Sequence, residues 1–295
     1  MSPDQYCRDK LVARACSDHY ALLFLPQPQR RVATALCALR RELQEAAQQP
    51  SDPALAQATL GWWAQEIGRA FDGHAQHPVT RALAPQVRAW KLSPQPFEAL
   101  LQGHARELQA DAFEDFDELK RHCEQSGVPF CETLAGLFSP LEDPVRRYCA
   151  NLALALHLIR ALRDCGRRAR RGHLTLPLRD LRNFGVAPAD LADARYGAGF
   201  TALAALQAGR AREALAAAAG ALPAAHRRAQ APGIILAALY RTLLDEMERS
   251  GFEVLHQRIA LTPIRKLRVA WRTWIFGPPG SMRRMPAPLT PGAQA

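Results

Sequence analysis

The feature that most constrains this chain is its helical periodicity. Ala, Leu, Arg, Glu and Gln fill long segments between Pro and Gly punctuation, and these side chains lose little freedom in a helix. Val, Ile and Thr are scarce, and apolar–polar alternation of period two is hard to find, which argues against a sheet. The pattern predicts helices over 4–15, 27–48, 54–72, 77–90, 94–109, 114–138, 142–164, 196–221, 226–250 and 263–276. Short turns at 178–184 and 188–193 also suit helix. No internal repeat is visible, which excludes a solenoid. The expected class is all-α.

The 295 residues fit one large domain or two small ones. No composition shift divides residues 1–276, so one helical domain is expected there. The segment 277–295 is rich in Pro, Gly and Arg and is expected to be a disordered tail. Apolar residues make up 48% of the chain, enough for a core and too many for a disordered protein. The net charge of +10 favours an anionic partner: a membrane face, a phosphorylated substrate or nucleic acid. Charge alone does not choose among them.

Seven cysteines, an odd number with no CxxC, argue against a disulfide framework or a zinc site. They suit buried thiols in a reducing compartment. No uncharged apolar run reaches 18 residues, so no membrane-spanning helix is expected. Residues 1–10 lack the apolar core of a signal peptide. The expected location is the cytoplasm, with the inner membrane face as a peripheral site.

That last expectation comes from 263–276. Ile264, Leu267, Trp271, Trp274 and Ile275 recur at helical spacing, with Arg265, Lys266, Arg268 and Arg272 between them. A basic helix with Trp on its apolar face suits a membrane interface. It equally suits a terminal helix that docks its Trp face on the core.

Five segments carry a family resemblance: Tyr20–Pro26 (YALLFLP), Leu60–Glu66 (LGWWAQE), Gln76–Leu83 (QHPVTRAL), Arg163–Pro177 (RDCGRRARRGHLTLP) and Phe252–Leu267 (FEVLHQRIALTPIRKL). Together and in this order they resemble the squalene/phytoene synthases, nearest the bacterial presqualene diphosphate synthase branch of hopanoid biosynthesis. The resemblance implies an isoprenoid synthase fold, a single helical domain around a central cavity. It implies head-to-head condensation of two farnesyl or geranylgeranyl diphosphates, giving presqualene diphosphate, squalene or phytoene. It further implies two Asp-rich stretches facing each other, whose carboxylates hold Mg2+ against the diphosphates. Helices 142–159 and 196–221 are the expected cavity walls.

The chain departs from the family where the metal would sit. The first motif reads roughly Arg-Glu-x-Asp-Asp-x-x-Asp, and here it is Arg41-Glu42-Leu43-Gln44-Glu45-Ala46-Ala47-Gln48. The second reads roughly Asn-x-x-Arg-Asp-x-Gly-Glu-Asp, and here it is Arg160-Ala161-Leu162-Arg163-Asp164-Cys165-Gly166-Arg167-Arg168. Gln44, Gln48 and Arg168 stand where Asp is expected; Glu45 and Asp164 are the residual motif acids. A unit-charge pair at ~5 Å with an effective dielectric of ~20 is worth about 3 kcal/mol. Turning one Asp ligand into Arg therefore swings Mg2+ by roughly 13 kcal/mol before relaxation. Further losses are Ser17-Asp18 where an aromatic follows Ser, His122 in place of Tyr, and His173 in place of Arg.

Three readings follow. In the first, a catalytically impaired relative binds a prenyl diphosphate or other anionic lipid without metal. Arg41, Arg160, Arg163, Arg167 and Arg168 are its candidate diphosphate-binding residues, because guanidinium binds phosphate bidentately. In the second, the enzyme is active and Glu45 and Asp164 hold Mg2+. In the third, by family analogy, the chain is a non-enzymatic assembly or scaffold factor. A dimer with an intact paralogue is compatible with the first.

Other candidates are weaker. The acidic run Asp111–Glu118 suits a solvated helix N-terminus. His74, His77 and His256 read as structural groups, not metal ligands. Arg167–Arg171 lacks interleaved aromatics, which argues against nucleic acid.

Overall fold

The computed structural model describes residues 1–13, 16–48, 52–109 and 112–277. Its helices, in chain order, are α1 (Pro3–Val12), α2 (Ser17–Leu22), α3 (Gln27–Gln48), α4 (Pro53–Asp72), α5 (Pro78–Ala89), α6 (Gln95–Gln109) and α7 (Phe116–Gly136). They continue as α8 (Asp143–Ala169), α9 (Leu178–Asn183), α10 (Pro188–Ala192), α11 (Ala198–Ala221), α12 (Ala224–Arg227), α13 (Ala231–Arg249) and α14 (Pro263–Phe276). Among the described residues there is no strand, so the all-α expectation holds. The expected tail lies outside the described residues from 278 onward.

Local chemistry starts the helices where the sequence places them. Asp52 accepts from Ala54 N at 2.8 Å and caps α4, and Asp115 accepts from Glu118 N at 2.9 Å and caps α7. His77 Nδ1 accepts from Val79 N at 3.2 Å and caps α5. Proline opens α1, α4, α5, α8 and α14, where its missing N–H costs nothing.

Three elements differ from the sequence expectation. Helix α2 was not expected, because six residues are too few to show a period. Helix α8 runs on past 164 to Ala169, since Gly166 is tolerated inside it and Arg167 and Arg168 suit the negative end of the dipole. The helix expected over 226–250 breaks into α12 and α13.

Among the described residues two large apolar cores result, with a small third cluster of Ala21, Ile235, Leu239 and Ala270. One large core gathers α7, α8, α11 and α13, with Leu158, Ile159 and Leu162 of α8 fully buried. The other gathers α1, α3, α4, α5 and α6 around Leu36, Leu39, Leu83 and Phe97. Helix α8 is buried over most of its circumference and forms the axis of the molecule. Among the described residues no helix is long and apolar enough to cross a membrane.

Two of the resemblance segments are joined by one buried carboxylate. Glu66 is fully buried in α4. It accepts from the backbone N–H groups of Gln76 and His77 at 2.7 Å each and from Thr80 Oγ1 at 2.5 Å. Arg69 donates to its other oxygen at 2.7 Å. Burial opposes ionisation, but these donors outweigh it and hold the Glu66 carboxyl down to about 2. LGWWAQE and QHPVTRAL therefore form a clamp between α4 and α5, not a reaction site.

Candidate functional site: an apolar cavity with a basic mouth

Between the two cores lies a cavity of about 190 Å³. Leu100 of α6, Phe130 and Leu134 of α7, Leu152 and Leu156 of α8 and Leu236 of α13 supply apolar wall. Helix α8 therefore lines it, as expected. Helix α11 does not: no residue of Ala198–Ala221 reaches the cavity. It packs instead on the opposite side of α8, burying Phe200, Leu203 and Leu215. Periodicity shows that such a helix is buried but not against what, and α6, α7 and α13 take the place assigned to it.

The cavity adjoins a second compartment of about 330 Å³, with which it shares part of its lining and whose wall is strongly basic. Gln44, Arg160 and Asp164 belong to both, so the two motif stretches do face each other here. Among the described residues eight basic side chains line the basic compartment: Arg40, Arg41, Arg160, Arg163, Arg167, Arg171, Arg258 and Lys266. Among the same residues three carboxylates oppose them, Asp18, Glu45 and Asp164.

Those carboxylates are held. Glu45 accepts from Lys10 Nζ at 2.7 Å and from Arg41 Nε at 2.9 Å. Asp164 lies 2.6 Å from Arg163, 3.3 Å from Arg258 and 3.4 Å from Arg167. Burial would raise Asp164, yet the guanidinium of Arg163, with Arg258 and Arg167, outweighs it and brings the carboxyl down to about 2. Asp18 pairs with Arg40 at 2.6 Å. The cations remain in excess. Burial lowers the Lys266 ammonium, and the charges of Arg163 and Arg258 add to the lowering. Arg258 is itself pushed down by burial and by Arg163.

Of the five arginines singled out in the sequence, four converge on the basic compartment: Arg41, Arg160, Arg163 and Arg167. Arg160 Nε donates to Leu156 O at 2.9 Å, and its guanidinium lies 5.8 Å from the Tyr240 ring. Arg168 lines the apolar cavity instead, 3.4 Å from Glu107 of α6. Glu107 also meets His122 Nε2 at 3.2 Å. Burial opposes its charge, but His104, His122 and Arg168 hold its carboxyl well below the usual range. Nearby, burial pushes His157 down to about 3, so its ring stays neutral. Gln48 ends α3, and its side chain lies outside the described residues.

Sequence reasoning missed Arg258, Arg40 and Glu107. Arg258 arrives on the segment after α13, which is pressed onto α8. A Cβ on Gly166 would lie 2.3 Å from Leu255 O and 2.5 Å from its Cα. The glycine of the second motif thus makes room for the chain that carries Arg258. Tyr196 pins the same segment, its hydroxyl accepting from Leu255 N at 2.8 Å.

The Mg2+ implied by the resemblance needs several carboxylates with free lone pairs on one ion. Among the described residues no group of three or more His, Cys, Asp or Glu side chains is placed to hold a metal ion. Glu45 and Asp164 already serve two and three cations. The described donor set does not fit a Mg2+ cluster.

Comparison with known proteins bears on the family and the fold. Residues 13–265 match the model of the squalene/phytoene synthase family. The chain is 27% identical over 281 residues to a phytoene synthase of Arthrospira platensis, covering 89% of each chain. It is 29% identical over 259 residues to a phytoene synthase of Thermus thermophilus, covering 85% of each. A crystal structure of a dehydrosqualene synthase superposes with a TM-score of 0.79 at 20% identity, covering 92% of this chain and 94% of that one. A squalene synthase from Alicyclobacillus acidocaldarius gives 0.71 at 23% identity, covering 85% and 94%. The structural likenesses establish the isoprenoid synthase fold. With the family model spanning most of the sequence, the chain belongs to the squalene/phytoene synthase family.

Proposed function

We propose that this protein binds a prenyl diphosphate, or an anionic lipid of the same shape, and is impaired in condensing it. The observation that carries the reading is the charge of the mouth, among the described residues eight basic side chains against three carboxylates that are each already paired. Arg41, Arg160, Arg163 and Arg167 present guanidinium groups to a diphosphate, which they recognise bidentately. Arg168 stands further along the cavity wall beside Glu107. The apolar walls of α6, α7, α8 and α13 take the isoprenoid chain. Guanidinium charge supports binding, but it does not replace the divalent ions that the family is expected to use to draw off the leaving group.

A second reading has its own support. The family match is continuous across both motif regions, and Glu45 and Asp164 survive within them. On that reading the protein is an active head-to-head prenyltransferase, and Glu45 and Asp164 would have to give up their cation partners to hold Mg2+.

Diphosphate release separates the two. Farnesyl and geranylgeranyl diphosphate are incubated with protein and titrated Mg2+ or Mn2+, with an intact synthase as control. Our reading expects no saturable release from folded, helical protein. Saturable release with a C30 or C40 product establishes the second reading and overturns the first.

A further inference from the structure

Helix α14 carries an apolar stripe that the fold leaves outside. Its inner face is taken by Ala270 and Thr273, both buried, and by Arg265, which pairs with Glu246 at 2.6 Å. Ile264, Leu267, Trp271 and Ile275 follow the spacing i, i+3, i+7 and i+11, so they share one face. All four are exposed, Ile264 at 81% and Trp271 at 50%. Trp274 flanks the stripe, half exposed and stacked on Phe24 with ring centroids 4.8 Å apart. Phe276 ends it at 73% exposure. Docking on the core therefore does not account for this face.

Single exposed apolar residues need no explanation, but a contiguous stripe does. Its border selects the partner. Arg268 and Arg272 lie beside it, both exposed, and among the described residues neither has a carboxylate partner. The whole chain carries +10. Indoles at the edge of an apolar stripe and unpaired arginines alongside it match the boundary between lipid headgroups and acyl chains. The same helix turns Lys266 into the basic compartment. The stripe and the mouth thus share one short, rigid element.

We propose that α14 is a docking surface for an anionic lipid bilayer, lying in the interface with Ile264, Leu267, Trp271 and Ile275 inserted. Docking there holds the basic mouth beside the leaflet. The proposal does not depend on the ligand reading above, because the stripe lies outside the cavity.

The test is sedimentation of the full-length protein with phosphatidylcholine vesicles, with and without phosphatidylglycerol. The proposal expects binding to the anionic vesicles and weak binding to the neutral ones. The pair Ile264→Ser and Leu267→Ser should lower the partition coefficient about tenfold or more. Arg268→Glu with Arg272→Glu should do the same for anionic vesicles alone. These side chains are exposed, so helicity and thermal midpoint should not change. Leu55→Ser, at an exposed apolar residue away from α14, should bind as the parent does. Absence of binding to anionic vesicles, or binding that both pairs leave intact, overturns the proposal. Concentration-dependent dimers abolished by Ile264→Ser and Leu267→Ser, without vesicle binding, overturn it in favour of a second copy of the chain.

Discussion

Arg40 and Asp18 form a 2.6 Å ion pair in the wall that the apolar cavity and the basic compartment share. The Arg40 guanidinium also sits 5.0 Å from the Phe130 ring. Burial opposes the charge on Asp18, but Arg40, with a hydrogen bond from Cys16, brings its carboxyl below the usual range. The pair fixes α2 against α3 and closes one side of the mouth. Removing one partner leaves a part-buried charge alone. Arg40→Gln should therefore cost up to about 3 kcal/mol in urea unfolding, the low end for a buried pair. Adding Asp18→Asn should recover most of that loss, and additive losses would contradict the pairing.

Asp164 gives a prediction whose sign separates the two functional readings. It sits among Arg163, Arg167 and Arg258 and neutralises part of their charge. Asp164→Asn leaves those cations to the ligand. A farnesyl thiodiphosphate should then bind several-fold tighter in EDTA, about 1 kcal/mol after solvent screening of a pair worth ~3 kcal/mol. A metal-dependent synthase would instead lose turnover and bind more weakly. Isothermal titration of parent and variant decides.

The Glu66 clamp predicts an acid-sensitive fold. Its carboxyl is held at about 2 in the fold against an ordinary 4.5. The stabilisation is therefore complete above about pH 4.5 and is lost as pH falls toward 2. It amounts to something on the order of 3 kcal/mol. Glu66→Gln should lower the thermal midpoint by several degrees at pH 7 and flatten the acid limb in that window. An unchanged midpoint would contradict the clamp.

His157 acts in a higher window. Burial keeps it neutral down to about pH 3, with Arg160, His122 and Arg168 adding to the effect and Glu107 opposing it. In the unfolded chain it takes up a proton below about 6.5. Folding therefore loses stability as pH falls from 6.5 toward 3, at up to about 1.4 kcal/mol per pH unit. His157→Gln should remove that slope in chemical denaturation across pH 4–6. A slope that survives would place the titration elsewhere.

The helices were legible because Pro, Gly and capping residues punctuate a strong 3.6-residue period. The basic mouth was legible in part, because Arg160, Arg163 and Arg167 lie on one helix and Arg41 lies in the other motif. The long-range pairings were not. Arg168 meets Glu107 across 61 residues of sequence and Arg258 meets Asp164 across 94, and such contacts leave no local periodicity. Helix α11 shows a different limit, since an Ala-rich helix buried on α8 looks the same in sequence whether or not it lines a cavity. The acidic run behaves as a helix start over its described part: Asp115 caps α7 and Glu118 pairs with Arg106 at 2.7 Å. Asp111 lies outside the described residues. His77 caps α5 and His256 meets the Tyr196 hydroxyl at 2.8 Å, both structural roles.

The central claim is that arginine, not metal, holds the diphosphate. The most direct measurement is calorimetric binding of farnesyl thiodiphosphate to the full-length protein, in EDTA and then in Mg2+. The account predicts saturable binding in EDTA, little changed by Mg2+, weakened by salt and reduced at least tenfold by Arg160→Ala with Arg163→Ala. Binding that appears only when Mg2+ is added, or that ignores the loss of both arginines, would contradict it.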